Sequence, residues 1–212
     1  MPEIVNPRIE EYLRQLYEDG DPVRQEMEAL ARERRFPIVG PLVGRHLEQL
    51  ALSIGARRVF ELGSGYGYSA LHFARAVGEG GSVHCTDLDE ENVRLAQGFL
   101  TRAGLWPRLT YHREEATAAL ARVGGTWDIV YNDIDKDGYP ETVELAYRHL
   151  RPGGLFITDN TLWFGRVLEG EDDGTPATAG VKEFTRRLFA HRGFLTRIDP
   201  TRDGVAVALR RA

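Results

Sequence analysis

Asp133, Asp135, Lys136 and Asp137 stand together in Asn132-Asp133-Ile134-Asp135-Lys136-Asp137, directly after an apolar run, and Asp159-Asn160 follows a second apolar run. If both runs are strands of one parallel sheet, their carboxyl ends share an edge. Asp133, Asp159 and Asn160 then form an all-oxygen, open set suited to Mg²⁺, Mn²⁺ or Ca²⁺. Asp and Asn are also common in loops after strands, so ordinary turn chemistry is the alternative for this pair. Lys136 is conspicuous because the chain has 27 basic side chains and the only other lysine is Lys182. Arginine makes equally good ion pairs but stays protonated, whereas lysine can move a proton or act as a compact charge. The competing reading of Lys136 is an ion pair on a solvated helix start.

A second constellation is Val59-Phe60-Glu61-Leu62-Gly63-Ser64-Gly65-Tyr66-Gly67-Tyr68-Ser69-Ala70. It reads as a strand, a glycine turn and a helix start. Such turns let a ligand approach the backbone at the carboxyl edge of a sheet. The spacing is G-x-G-x-G, neither the dinucleotide fingerprint nor a phosphate-cradling loop with Lys. About 20 residues on, as in ribose-binding acids, Cys85-Thr86-Asp87-Leu88-Asp89 places a carboxylate where it can accept bonds from ribose hydroxyls. Asp89 suits the N-cap of the next helix. Glu61 has the alternative of a satisfied polar group at a strand end.

The elements that must position these residues follow from periodicity. Residues 1–55 read as helices. Ile9, Tyr12, Leu13, Leu16 and Tyr17 share one face; Asp21-Pro22 starts a second helix with Val23, Met27, Leu30 and Ala31 inward; a third spans about 41–54, with Leu42, Leu47, Leu50, Ala51 and Ile54 inward. From 56 to 212 short apolar runs alternate with helices. The runs are Val59 to Leu62, Val83 to Thr86, Leu109 to His112, Asp128 to Tyr131 and Leu155 to Thr158; the helices lie near 67–77, 89–103, 114–122 and 138–150. This is an α/β pattern with a mostly parallel sheet covered on both faces. A helix over 181–191, then Phe194 to Ile198 and Val205 to Leu209 around a short turn, ends it with an antiparallel pair. Residues 165–180, rich in Gly, Asp and Glu, read as a mobile loop or lid.

The whole pattern resembles the S-adenosylmethionine-dependent methyltransferases. E-L-G-S-G-Y-G-Y-S-A with T-D-L-D downstream, D-x-D-K-D-x-Y at 133–139 and D-N-T-L-W at 159–163 are similar to the cation-dependent catechol and caffeoyl-CoA O-methyltransferases over roughly residues 35–212. The resemblance implies a single Rossmann-like, seven-stranded domain over 1–212 and a homodimer. It implies that Glu61, Gly63, Ser64 and Ser69 surround the methionine end of S-adenosylmethionine. Asp87 would hold the ribose, Ala116 flank the adenine, and Val39, Asp133 and Asp135 add cofactor contacts. Asp133, Asp159 and Asn160 would hold the divalent metal, Mg²⁺ foremost, with Asp133 and Lys136 at the acceptor hydroxyl. The expected acceptor is a small hydroxylated aromatic with vicinal oxygens. A hydroxylated tRNA base and a non-catalytic S-adenosylmethionine-binding role are the alternatives.

Three positions depart from the family pattern. Asn132 replaces an apolar residue, Phe164 an Asn of the plant caffeoyl-CoA enzymes, and Thr185 an Asn of the late helix. The first two, with Glu169, Glu171, Asp172 and Asp173 in the loop, argue against a CoA thioester acceptor. Trp163 reads as a pocket wall or as ordinary packing, Tyr66 and Tyr68 as packing, and the six histidines form no spaced cluster.

Composition sets the outer bounds. A net charge of −5 offers no general attraction for nucleic acid or anionic membrane. The single Cys85 excludes an internal disulfide and agrees with a cytoplasmic location, and its apolar surroundings suggest core. Met1 to Pro7 has neither the basic nor the apolar segment of a signal peptide.

Overall fold

The computed structural model describes residues 6–17 and 20–212; Met1 to Val5, on which most of the signal-peptide reading rests, lie outside the described residues. Among the described residues seven strands form one sheet in the order β3-β2-β1-β4-β5-β7-β6. They are β1 (Arg58–Leu62), β2 (Ser82–Thr86), β3 (Leu109–His112), β4 (Trp127–Asn132), β5 (Leu150–Thr158), β6 (Phe194–Asp199) and β7 (Val205–Arg210). The first five run parallel, and β7 lies antiparallel between β5 and β6.

Helices α1 (Pro7–Leu16), α2 (Pro22–Arg34) and α3 (Gly40–Ser53) precede the sheet, and α4 (Tyr68–Val77), α5 (Glu90–Arg102), α6 (Ala116–Val123), α7 (Tyr139–His149) and α8 (Pro176–Ala190) connect or follow strands. One core packs α2 to α5 on one sheet face through residues such as Met27, Leu47, Phe73 and Leu100. The other packs α6 to α8 through Leu120, Tyr139, Val143 and Phe184. Strand residues serve the two cores alternately: Val59 and Tyr131 face the first, Phe60 and Val130 the second. Cys85 is fully buried, as its apolar surroundings suggested.

Local signals explain most boundaries. Asp21 caps α2 through Val23 N–H at 3.0 Å, with Pro22 in the first turn, and Asp89 caps α5 through Glu91 N–H at 2.8 Å. Two boundaries differ from expectation. β5 begins at Leu150, because Leu150 pairs with Trp127 across a bulge despite the turn residues Pro152, Gly153 and Gly154. α8 begins at Pro176, so the expected loop ends at 175; Thr175 is its N-cap and accepts from Thr178 N–H. On α1 the apolar face points outward, with Ile9, Tyr12 and Leu16 more than half exposed. Among the described residues no helix is long and apolar enough to cross a membrane.

Candidate active site

The parallel register brings the chemistry to one edge. Leu62 is level with Asn132, and Asn132 with Thr158. The next residues are Gly63, Asp133 and Asp159. The ladder continues past the strands through Asp133 N–H to Leu62 O at 2.9 Å and Asp159 N–H to Asn132 O at 3.2 Å. Gly63 sits at φ 79°, and a Cβ there would lie 2.6 Å from the Asp133 carbonyl oxygen. Only glycine fits this crossing of loop and strand end. The loop is stitched to β2: Gly63 N–H donates to Thr86 Oγ1 and Thr86 N–H to Ser64 Oγ, at 2.9 and 3.1 Å.

A cavity of about 1360 Å³ opens over this edge, lined by Val39, Gly63, Ser64, Ser69, Asp87, Ala116, Asp133, Asp135, Lys136, Asp159 and Asn160 among others. All the expected site residues except Glu61 therefore share one wall. Glu61 is fully buried behind that wall and accepts a short hydrogen bond from Ser69 Oγ. Burial raises its carboxyl to about 7, against opposing hydrogen bonds from Ser69, Ser64 and Cys85; the charge of Asp133 adds to the rise. Asp87 accepts from Asp89 N–H and Asn92 Nδ2 through Oδ1 alone, at 2.8 and 3.2 Å, so Oδ2 faces no protein donor in these bonds. Ala116 opens α6, whose cap Glu115 binds Thr117 N–H and Ala118 N–H.

Asp159 is 3% exposed. Burial first, and then the charge of Asp133, push its carboxyl to about 7. Asp133 is also raised by burial, although Lys136 pulls it back. Lys136 Nζ donates to Asp133 Oδ1 at 2.8 Å and Ile134 O at 3.3 Å, and lies 4.9 Å from the Tyr139 ring centre and 5.8 Å from that of Trp163. Trp163 both lines the cavity and is anchored, its Nε1 donating to Thr178 Oγ1 at 3.0 Å. Among the described residues no group of three or more His, Cys, Asp or Glu side chains is placed to hold a metal; the set here is two carboxylates and an amide.

Several contributors had no signal at the sequence level. Arg202 lines the cavity, donating to Ile38 O at 2.8 Å and to Val39 O, and its charge lowers both Asp133 and Asp159. Asp203 lies behind the wall, beside it in the β6–β7 turn. Gly180, expected in a loop, is inside α8, where a Cβ would stand 2.2 Å from the Lys136 carbonyl oxygen. Gly180→Ala is therefore expected to displace the Lys136 turn. The result is a fall in Tm with a fall in turnover at saturating substrate, checked by thermal melting and steady-state kinetics.

Two of the four loop acids are spent internally: Asp172 pairs with Lys182 at 2.5 Å and Asp173 with Arg166 at 3.0 Å. That weakens the charge argument against a polyanionic acceptor. Asn132 is fully buried, outside the cavity wall, and neither amide atom has a hydrogen-bond partner. Tyr66 and Tyr68 pack as expected, their hydroxyls donating to Met27 O and Glu28 Oε1 at 3.0 and 2.7 Å.

A sequence model of the O-methyltransferase family matches residues 24–211. The chain belongs to the O-methyltransferase family. A catechol O-methyltransferase of Niastella koreensis is 32% identical over 184 residues, covering 81% of both chains. Caffeoyl-CoA O-methyltransferase 2 of Zea mays is 33% identical over 135 residues, 61% of this chain and 51% of that one. The solved methyltransferase of Geobacter sulfurreducens superposes with a TM-score of 0.83 at 32% identity over 98% of this chain and all of its own. An O-methyltransferase of Bacillus cereus, solved in complex with SAH, does so with 0.85 at 25% identity, covering 96% and 97%. These solved structures thus share the fold of this chain.

Proposed function

We propose that this family member moves the methyl group of S-adenosylmethionine to a hydroxyl of a small aromatic with vicinal oxygens, and that a divalent cation assists. The observation that carries the reading is the convergence of Asp133, Asp159 and Asn160 on one cavity that also takes in the glycine loop, Asp87 and Lys136. The donor set fits a hard cation: all three donors are oxygens. Two are carboxylates raised by burial, one of them also by its neighbour's charge. A dication relieves that cost. The relatives named for catechol and caffeoyl-CoA support the acceptor class, and SAH in the Bacillus cereus structure supports the methyl donor. The tRNA-base and non-catalytic readings gain no support from them.

When bound, the cation supplies charge that lowers the pKa of the acceptor hydroxyls. The chain does the rest. Asp87 accepts from the ribose, and the glycine turn lets the backbone approach the methionine end. Lys136 stands beside Asp133 as a second positive charge where the acceptor oxygen becomes anionic. The O–C bond forms as the C–S bond breaks, S-adenosylhomocysteine leaves with the electron pair of that bond, and the hydroxyl proton passes to water. Trp163 closes one side of the space. Methyl transfer to a catechol series, assayed with excess EDTA and in Asp159→Ala, tests this reading. Loss of turnover in both is expected; full turnover in EDTA rejects the metal.

A further inference from the structure

Arg202 holds a backbone shape that a bulky residue rarely adopts: it is left-handed, with φ of 52°. Such a residue persists only where neighbours over-determine it, and such positions gather at ligand sites. The restraint comes from two sides. The β6–β7 turn is pinned to the segment after β5. Leu162 N–H donates to Asp203 O at 2.8 Å, Thr161 N–H to Gly204 O at 2.9 Å, and Phe164 N–H to Asp203 Oδ1. The Arg202 side chain then reaches the turn before α3, where Nη1 donates to Ile38 O at 2.8 Å and to Val39 O. Gly40 leaves it room: a Cβ there would stand 3.3 Å from Nη1. Arg202 thus joins two parts of the cavity lining, Trp163 with Phe164 and Ile38 with Val39, and is itself part of that lining.

One edge of the guanidinium stays open. Nη1 serves the two carbonyls. Nε and Nη2 hydrogen-bond to none of the described residues, and no carboxylate among those residues lies within ion-pair distance of Arg202. Neither nitrogen is sealed from solvent. Nε and Nη2 present parallel N–H bonds, the fork that takes a carboxylate through two hydrogen bonds. A lysine has no second, rigid set of donors to offer once its ammonium is engaged. The other arginines on the lining differ. Arg14 is paired with Glu10 at 2.6 Å, and Arg32 is exposed and held by no hydrogen bond to a described residue.

We propose that Arg202 is a specificity-determining residue: Nη1 fixes the guanidinium at the cavity wall, and the open Nε–Nη2 edge receives a carboxylate carried by the aromatic acceptor. The substrate class narrows to aromatic acids with adjacent hydroxyls. This rests on the methyl-transfer reading above and is independent of the metal. The carboxylate lies away from the reacting oxygen and is held alike in the ground and transition states. Its recognition therefore shows in KM and leaves kcat nearly alone.

The test is steady-state methyl transfer to catechol, to a catechol bearing a carboxylate on the ring, and to the primary amide of that acid. The unaltered protein is expected to favour the acid over the amide by about 10-fold or more in kcat/KM, the scale of a charge-assisted pair. Most of the difference should lie in KM. Arg202→Met removes fork and anchor together and is expected to erase the preference. Arg202→Lys keeps the charge without the fork and is expected to keep only part of it. Comparing the acid–amide ratio between proteins cancels the electronic difference between the two acceptors. A residue that merely ties the two turns together would depress all three acceptors alike and leave the ratio where it was. That outcome overturns the proposal, and so does an unaltered protein that methylates acid and amide equally well. Should Arg202→Met not fold, the ratio in Arg202→Lys decides, an unchanged value counting against the fork. Methylation of catechol and the amide without preference for the acid rejects this inference alone. No transfer to any of the three rejects the acceptor reading on which it rests.

Discussion

Lys136→Ala is expected to lower kcat by about 10²- to 10³-fold, the range for removing one donor from a preorganised charge-stabilising site. The reason is its placement. Nζ is held by Asp133 Oδ1 at 2.8 Å and by Ile134 O, against the faces of Tyr139 and Trp163. These contacts suit a fixed cation. Lys136→Arg keeps a cation that cannot take up a proton, so it is expected to retain more turnover than alanine. Single-turnover rates for the two variants decide: equal, deep losses would reassign Lys136 as the proton acceptor. Cofactor affinity should change little in either, since Ser69, Asp87 and the glycine turn are untouched.

The second large effect concerns Glu61. Its carboxyl is shifted from 4.5 to about 7 by burial. The sign follows from linkage. Below pH 4.5 the group is protonated folded and unfolded, and costs nothing. As the pH rises towards 7 the unfolded chain ionises while the folded one keeps its proton, so stability falls. Beyond that the full cost stands, on the order of 3 kcal/mol for a shift of this size. Glu61→Gln should therefore raise the urea midpoint of the ligand-free protein at pH 8 and leave it nearly unchanged at pH 4.

The same substitution is expected to weaken S-adenosylmethionine binding, because a buried carboxylate can balance the cationic methionine end. Binding to the unaltered protein should tighten as pH rises through about 7, where Glu61 ionises. Asp159 titrates in the same range, so the comparison is made between the two proteins at each pH. If calorimetry gives Glu61→Gln the same affinity and the same pH profile, Glu61 is a satisfied strand-end polar group and no more. Its position one layer behind Ser69 makes this a real contest.

The alternation of short apolar runs with helical periods carried the five parallel strands, because strands buried on both faces are written as unbroken apolar runs. Glycines and carboxylates just past those runs located the cavity edge for the same reason: a parallel sheet puts every strand's carboxyl end on one side. What failed to show was whatever arrives from far away in sequence or against local composition. The β5 start was hidden because Pro152, Gly153 and Gly154 read as a turn, yet Leu150 still pairs with Trp127. The α8 start was hidden because Thr175-Pro176 sits at the end of an acidic, glycine-rich stretch. Arg202 is one of 25 arginines, and Asp203 reads as one more turn residue. Only the hairpin carries Arg202 to the cavity and Asp203 to the layer behind it. Glu61, expected around the methionine end, stands behind the cavity lining, a depth that periodicity along one strand cannot resolve.

The strand order has a consequence for synthesis. β7 is made after both β5 and β6 but lies between them, and β6 pairs with β7 alone. Until β7 emerges, the edge of β5 from Leu155 to Thr158 has no neighbour on that side. A nascent chain thus carries a short apolar stretch with an open edge, the kind that pairs with other chains. The final hairpin closes that edge and in the same movement delivers Arg202 to the cavity. Protection from aggregation and completion of the cavity are therefore one event, and the chain gains both only when β7 is in place.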